Sequence, residues 1–311
     1  MEYSTHTGFL RRRQFLQAGV LGLAAVAADQ KAGLLKAQPL GLPIGLELFT
    51  VRHESQKDFP GTLEKVAAIG YKEVELFDFA GRKASEIRRM LDSVGLVAPS
   101  SHTLSYVLSP RLQLTEVQSR WTGLIEYASE LGVHYLGGSV GDVSKLNPLD
   151  DYKRLADLMN AVGEQCQRAG LQFAYHNLNV EFREYDGIVP YDWLLRHTDP
   201  KYVQLEIDCY WLTRAGRDPA EYFKQYPGRT PLLHVKDRKP GYAPSTVVDP
   251  GPGPFTEVGQ GSIDWKHIFA AASGGGLKHY YVEQDFCDRP VFESLKMSYN
   301  YLNKLVIPTG I

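Results

Sequence analysis

Four residues of this chain have the chemistry to hold a divalent cation. His176, Asp208, His234 and Glu283 each stand near the end of a short apolar run: 171–177 (LQFAYHN), 203–208 (VQLEID), 231–237 (PLLHVKD) and 279–285 (HYYVEQD). Imidazole and carboxylate together suit Mn2+, Co2+, Fe2+, Zn2+ or, less well, Mg2+. So few protein ligands leave open positions for a substrate's oxygens. A lone histidine at a strand end is more often a satisfied polar group, and a lone aspartate there a helix cap. The repetition of the pattern in four separate runs favours a metal. Side chains alternate along a strand, so Lys236 shares the face of His234 and is placed to hold or polarise a substrate oxygen. Glu206 then lies below Asp208, and Asp285 above Glu283. Glu75 is expected to move a proton. His102 and Asn177 are expected to contact substrate, and Trp211 to stack on its apolar face. Glu47 is a weaker candidate of the same kind.

Strands that carry their reactive residues at the carboxyl end are what an α/β barrel predicts. The chain between them is punctuated regularly. Helical runs close at Gly70, Gly95, Gly132, Gly170, Gly228 and Gly276, and Asp199-Pro200 stops another. Glycine suits the left-handed residue just past a helix end. With a first strand over 44–50, eight strands begin near Ile44, Glu73, Leu96, His134, Leu171, Val203, Leu232 and Lys278. Runs at 62–69, 85–94, 115–131, 151–169, 191–197, 219–226, 265–272 and 291–305 separate or follow them, with apolar residues at helical spacing. Strands alternating with helices argue for a parallel sheet. Eight such units make a closed (β/α)8 TIM barrel the expected fold, one domain over 41–311, with a doubly wound sheet as the alternative. The stretch 239–261, rich in Pro and Gly, follows the seventh strand and is expected to shape access at the rim.

The 311 residues are 43% hydrophobic and 23% charged, with a formal net charge of −2. That balance gives no general electrostatic case for nucleic acid. Cys166, Cys209 and Cys287 are too few and too dispersed for a disulfide framework and are read as buried thiols. There is no Walker loop, no GxGxxG after the first strand and no GxSxG elbow. Residues 137–141 (GGSVG) are a weak phosphate signal by themselves. Residues 1–40 differ in kind. Arg11-Arg12-Arg13-Gln14-Phe15-Leu16 precedes a short apolar segment, and Ala25-Val26-Ala27 offers a small-residue cleavage pattern. This reads as a twin-arginine export signal, with the Tat translocon as a transient partner and a periplasmic or secreted destination. The segment is too short to span a bilayer, and no cysteine lies there to carry a lipid anchor.

In order, the chain reads Tyr175-His176-Asn177, Leu205-Glu206-Ile207-Asp208-Cys209-Tyr210-Trp211, His234-Val235-Lys236-Asp237, Val258-Gly259-Gln260-Gly261 and Val282-Glu283-Gln284-Asp285. This series resembles the sugar phosphate isomerase/epimerase group of the xylose-isomerase-like TIM barrels, over about residues 41–305. The resemblance implies a divalent metal on His176, Asp208, His234 and Glu283. It also implies a small sugar or glycoside as substrate. The epimerases of the group carry a glutamate where His176 stands, and a histidine where Trp211 stands. What the resemblance leaves intact is a metal that polarises a ketone while a base, His176 or Glu283, removes the neighbouring proton. Reprotonation then gives isomerisation or epimerisation; loss of a β-oxygen gives elimination. Export favours a non-phosphorylated keto-sugar. The expected activity is a metal-dependent isomerase or epimerase, with a lyase on a 3-keto-sugar or keto-glycoside as the alternative. A non-catalytic carbohydrate-binding barrel is a third reading. A nuclease would need more ligands and a basic face. The oligomeric state stays open.

Overall fold

The computed structural model describes residues 38–79, 81–102, 108–140, 148–248 and 252–307. Of the stretch read as an export leader, residues 1–37 lie outside the described residues. Eight strands alternate with eight outer helices: β1 (Gly45–Glu47), α1 (Phe59–Ile69), β2 (Glu73–Leu76), α2 (Ala84–Val94), β3 (Val97–His102), α3 (Leu114–Leu131), β4 (Tyr135–Gly138), α4 (Pro148–Arg168), β5 (Gln172–His176), α5 (Pro190–His197), β6 (Val203–Asp208), α6 (Pro219–Gln225), β7 (Leu232–Val235), α7 (Trp265–Gly275), β8 (His279–Val282) and α8 (Val291–Leu302). Each strand pairs in parallel with its neighbours, and β1 pairs with both β2 and β8, which closes the barrel. The fold is the expected TIM barrel. No helix among the described residues is long and apolar enough to cross a membrane.

The local reasons are those written in the chain. In α3, Val117, Trp121, Leu124, Ala128 and Leu131 fall on one face and are buried. Gly132 then takes φ +87°, and its N–H closes on the Ala128 carbonyl, ending the helix. Gly95 does the same for α2 at φ +70°. A side chain at either position would be strained.

Three differences matter for function. The first strand ends at Glu47 rather than Thr50, because the Glu47 carboxylate accepts the Phe49 N–H at 3.1 Å and caps a 3-10 turn, Leu48–Val51. A short helix, Arg52–Lys57, follows, so Phe49 is carried onto the rim. After β6, Asp208 accepts the Trp211 N–H at 2.9 Å and starts a second short helix, Cys209–Arg214. The Pro/Gly-rich stretch folds back as a small antiparallel hairpin between Asp237–Arg238 and Phe255–Thr256. Of the three thiols, Cys166 and Cys209 are buried, but Cys287 is only half-buried.

Asp237 anchors that hairpin. Its fully buried carboxylate accepts from the N–H groups of Arg238 (2.7 Å), Gly259 (2.9 Å) and Ile263 (3.3 Å) and from the Trp265 indole (2.9 Å). Removing it takes the acceptor from the buried Trp265 indole, at about 1–3 kcal/mol for such a group, and from three part-buried N–H groups. Asp237→Ala is therefore expected to lower the unfolding free energy by about 3 kcal/mol or more, read from the urea midpoint. An unchanged midpoint would show that the hairpin does not depend on this carboxylate.

Candidate metal centre

Barrel register explains how residues so far apart in sequence meet. Asp208 on β6 lies opposite His234 on β7, and His176 on β5 lies opposite Glu206 on β6. One ligand atom from each of His176, Asp208, His234 and Glu283 falls within 4.8 Å of the others, and all four residues are buried. His234 Nδ1 lies 2.8 Å from Glu283 Oε2, 3.2 Å from His176 Nε2 and 3.7 Å from Asp208 Oδ2. Donors held at roughly 2.0–2.2 Å from one ion have about these mutual separations. Asp208 Oδ2 and Glu283 Oε2 are buried and receive no directed hydrogen bond. These two oxygens face two imidazole nitrogens as well as the Lys236 ammonium, and mixed imidazole and carboxylate donors at this spacing are a set that a divalent cation suits.

The layer beneath orients these donors. His234 Nε2 donates to Glu75 Oε2 at 2.6 Å, and Glu75 also accepts from the Ser100 hydroxyl. That bond turns Nδ1 towards the centre, as a carboxylate behind a ligating histidine does. Burial by itself would raise the Glu75 carboxyl; the hydrogen bond and charge of His234 reverse this and hold it at about 2. Burial also opposes the His234 cation, but Glu206 and Glu283 outweigh it, so the metal-free imidazole is held protonated. Metal binding would displace the Nδ1 proton. Glu206 and Glu47 are pushed the other way by burial and then by Glu75, Glu206 to about 8. Glu206 fits inside the barrel because β4 has Gly137 beside it: a Cβ there would lie 2.8 Å from Glu206 Oε2.

Above the centre, the Lys236 ammonium lies 2.8 Å from Glu283, 3.1 Å from Asp208 and 2.9 Å from Asp285. Burial opposes its charge, but Asp208, Asp285 and Glu283 together hold it protonated. Against burial, Lys236 and then His234 hold the Glu283 carboxyl far below the usual range. The Trp211 and Phe255 rings flank the ammonium at 5.5 and 5.7 Å.

A cavity of about 290 Å³ opens over this cluster. His176, His102, Lys236, Glu283 and Trp211 line it, as does Glu47. Burial and then His176 push the His102 imidazole down to about 3, so it is neutral, and its Nε2 faces the Ser139 hydroxyl at 3.5 Å. Two residues sit elsewhere than expected. Glu75 is not on the cavity wall but buried behind His234. Asn177 does not reach the cavity: it accepts the Asp208 N–H at 3.0 Å and faces the Asp208 carbonyl at 3.4 Å, tying β5 to β6. Missed from the sequence were Phe49 and Phe77, which meet edge to face on one side of the cavity, Leu178, which lines it beside Trp211, and the role of Asp285. Asp285 is the most open carboxylate of the group, with 16% of its side chain exposed. Alternation along β8 already placed it one step above Glu283.

The family model for the xylose isomerase-like TIM barrel matches residues 63–300. The chain belongs to the xylose isomerase-like TIM barrel family. Within this family, it is 29% identical over 164 residues to the inosose dehydratase of Lacticaseibacillus casei, 50% of this chain and 54% of that one. The match thus spans about half the length of that relative. It is 24% identical over 240 residues to the inosose dehydratase of Clostridium botulinum (strain Alaska E43 / Type E3), 69% of this chain and 77% of that one. Among solved structures it is similar to a sugar phosphate isomerase/epimerase from Parabacteroides distasonis ATCC 8503, at 26% identity and a TM-score of 0.70, covering 84% of this chain and 94% of that one.

Direct metal analysis tests the centre. The purified protein is expected to hold one divalent ion per chain and Asp208→Ala essentially none. Glu75→Gln is expected to weaken metal affinity by about 10- to 100-fold, the usual effect of losing a carboxylate behind a ligating histidine. Equal metal content in all three proteins would remove the site.

Proposed function

We propose that the protein is a divalent-metal-dependent enzyme that removes the proton next to the carbonyl of a non-phosphorylated keto-sugar or keto-glycoside and then expels a β-oxygen. The observation that carries this reading is that two donors of the cluster, His176 and Glu283, line one cavity with Lys236 and the open carboxylate of Asp285, while Asp208 and His234 lie buried just behind. A cation on His176, Asp208, His234 and Glu283 supplies a Lewis acid for the carbonyl oxygen. Asp285 lies outside that donor set and faces the cavity, so it is the base we assign. Lys236 stabilises negative charge developing beside it. The C–H bond gives its proton to Asp285, the carbon–oxygen bond one carbon further breaks, and the departing oxygen takes up a proton. The products are an enone and an alcohol or water.

Elimination is favoured over epimerisation by asymmetry. Epimerisation needs matched acid–base groups on both faces of the substrate. Here the carboxylates of Glu283 and Asp285 stand on the β8 side, whereas β3 contributes His102, a neutral imidazole that makes a hydrogen-bond donor and a weak base. Two relatives named as dehydratases support the same outcome. An isomerase or epimerase is the second reading, supported by the likeness to the Parabacteroides structure. The non-phosphorylated substrate is supported by charge: among the described lining residues Lys236 is the only lysine or arginine, and it already faces three carboxylates. A phosphate would meet those carboxylates with no unpaired lysine or arginine among the described lining residues to receive it.

Keto-sugars incubated with the metal-loaded protein in D₂O are expected to yield an enone and a released alcohol, and a chelator to stop this. Asp285→Asn is expected to lower kcat by about 10²- to 10⁴-fold, the range for a lost general base, with metal content retained. Deuterium incorporated without an enone would instead support the isomerase reading. No exchange with any keto-sugar would leave the non-catalytic barrel.

We also propose that Arg12 and Arg13 direct the chain through the Tat translocon, supported by their place before Phe15-Leu16 and an apolar segment. Replacing both with lysine is expected to leave the protein in the cytoplasmic fraction; unchanged export would count against a twin-arginine route.

A further inference from the structure

The charged groups of the cavity account for a sugar ring, but not for Phe49 and Phe77, which line it, or for the rings that continue from them. Phe77 at the end of β2 meets Phe49, just past β1, edge to face at 5.7 Å. The Arg52 guanidinium lies 4.2 Å from the Phe49 ring and 5.5 Å from that of Phe286, just past β8. Phe286 lies 6.2 Å from Phe255 of the hairpin, and Phe255 6.1 Å from Trp211 after β6. The arc therefore follows the ends of β2, β1, β8, the hairpin and β6 in turn, beside the wall that carries Lys236, Glu283 and Asp285. Arg52 fixes its centre, donating to the Phe49 carbonyl at 2.9 Å and the Asp285 carbonyl at 2.8 Å.

Phe49 and Phe77 are half-buried, and Phe286 keeps 47% of its surface exposed. Phenylalanine has no polar atom, so these rings gain nothing from water or from a sugar's hydroxyls. Apolar surface held above the charged groups of a cavity marks a binding surface. The geometry points to a subsite for a planar, apolar aglycone, with Phe49, Phe77 and Phe286 packing on it while the attached sugar sits over the metal centre. This rests on the proposed function, and narrows the substrate from a free keto-sugar to a keto-glycoside of an aromatic alcohol. The leaving group of the elimination is then the aglycone itself. A second sugar unit could pack only its C–H face on these rings, and so buries less apolar surface there than a planar aromatic aglycone.

Two measurements test the subsite separately from the reaction. In calorimetric titration of the metal-loaded protein, phenyl β-glucoside, which has no ketone to react, is expected to bind about tenfold or more tightly than methyl β-glucoside, as aromatic packing would give. For the 3-keto forms of the same two glycosides, kcat/KM is expected to favour phenyl by a similar factor, expressed mainly in KM. In Phe77→Ala and Phe286→Ala the phenyl-to-methyl ratio is expected to fall towards one. The ratio is taken within each variant, so a general loss of activity does not alter it. Equal binding of the two glucosides, tighter binding of a disaccharide than of phenyl glucoside, or a ratio unmoved by both substitutions would overturn the subsite. Turnover of neither keto-glycoside, with phenyl preference in binding intact, would overturn the reaction and leave the subsite standing.

Discussion

At the carboxyl end of this barrel, six of the described carboxylates crowd around one ammonium and one imidazole: Glu47, Glu75, Glu206, Asp208, Glu283 and Asp285 around Lys236 and His234. Buried charge of one sign is costly unless it is paired or neutralised. The barrel relieves it by sorting. Glu75, Asp208 and Glu283 are held ionised by the cations beside them, while burial and like charge push Glu47 and Glu206 towards the neutral acid. His234 stands between the layers, with Glu75 on Nε2 and Glu283 at Nδ1. Most TIM barrels fill this volume with branched apolar side chains. A polar filling stabilises the fold less, and here it brings together donors that could hold a cation.

That constraint reaches outward through the backbone. Asp208 serves two structures at once: Oδ1 caps the helix that presents Trp211, while Oδ2 faces the centre. Glu47 likewise starts the turn that lifts Phe49 to the rim. Asp237, two residues past the end of β7, pins the loop whose hairpin lays Phe255 beside Lys236. Ligand cluster, ammonium and aromatic arc are thus held by side chains at the carboxyl ends of the strands. Substitutions at these strand ends are expected to move metal affinity and substrate preference together.

Much of this was legible in the chain. The eight strand starts and the glycine stops are local matters: where a helix ends on a residue at positive φ, as at Gly95, Gly132 and Gly276, glycine marks the place. The alternation of a strand is local too, so His176, Asp208, His234 and Glu283 could be aligned to one rim before any coordinates. What the sequence left open depended on partners distant in the chain. Asn177 reads like a substrate contact until β6 is laid beside it and takes both ends of its amide. Glu75 reads like a cavity carboxylate until closure of the barrel places His234, 159 residues away, against it. Phe49 reads as strand until Glu47 caps a turn, and only then does it join Phe77. Residue type and period determine which groups face the axis, because they act over a few bonds. Closure decided the rest, because register across eight strands sets the height at which each group meets its neighbours.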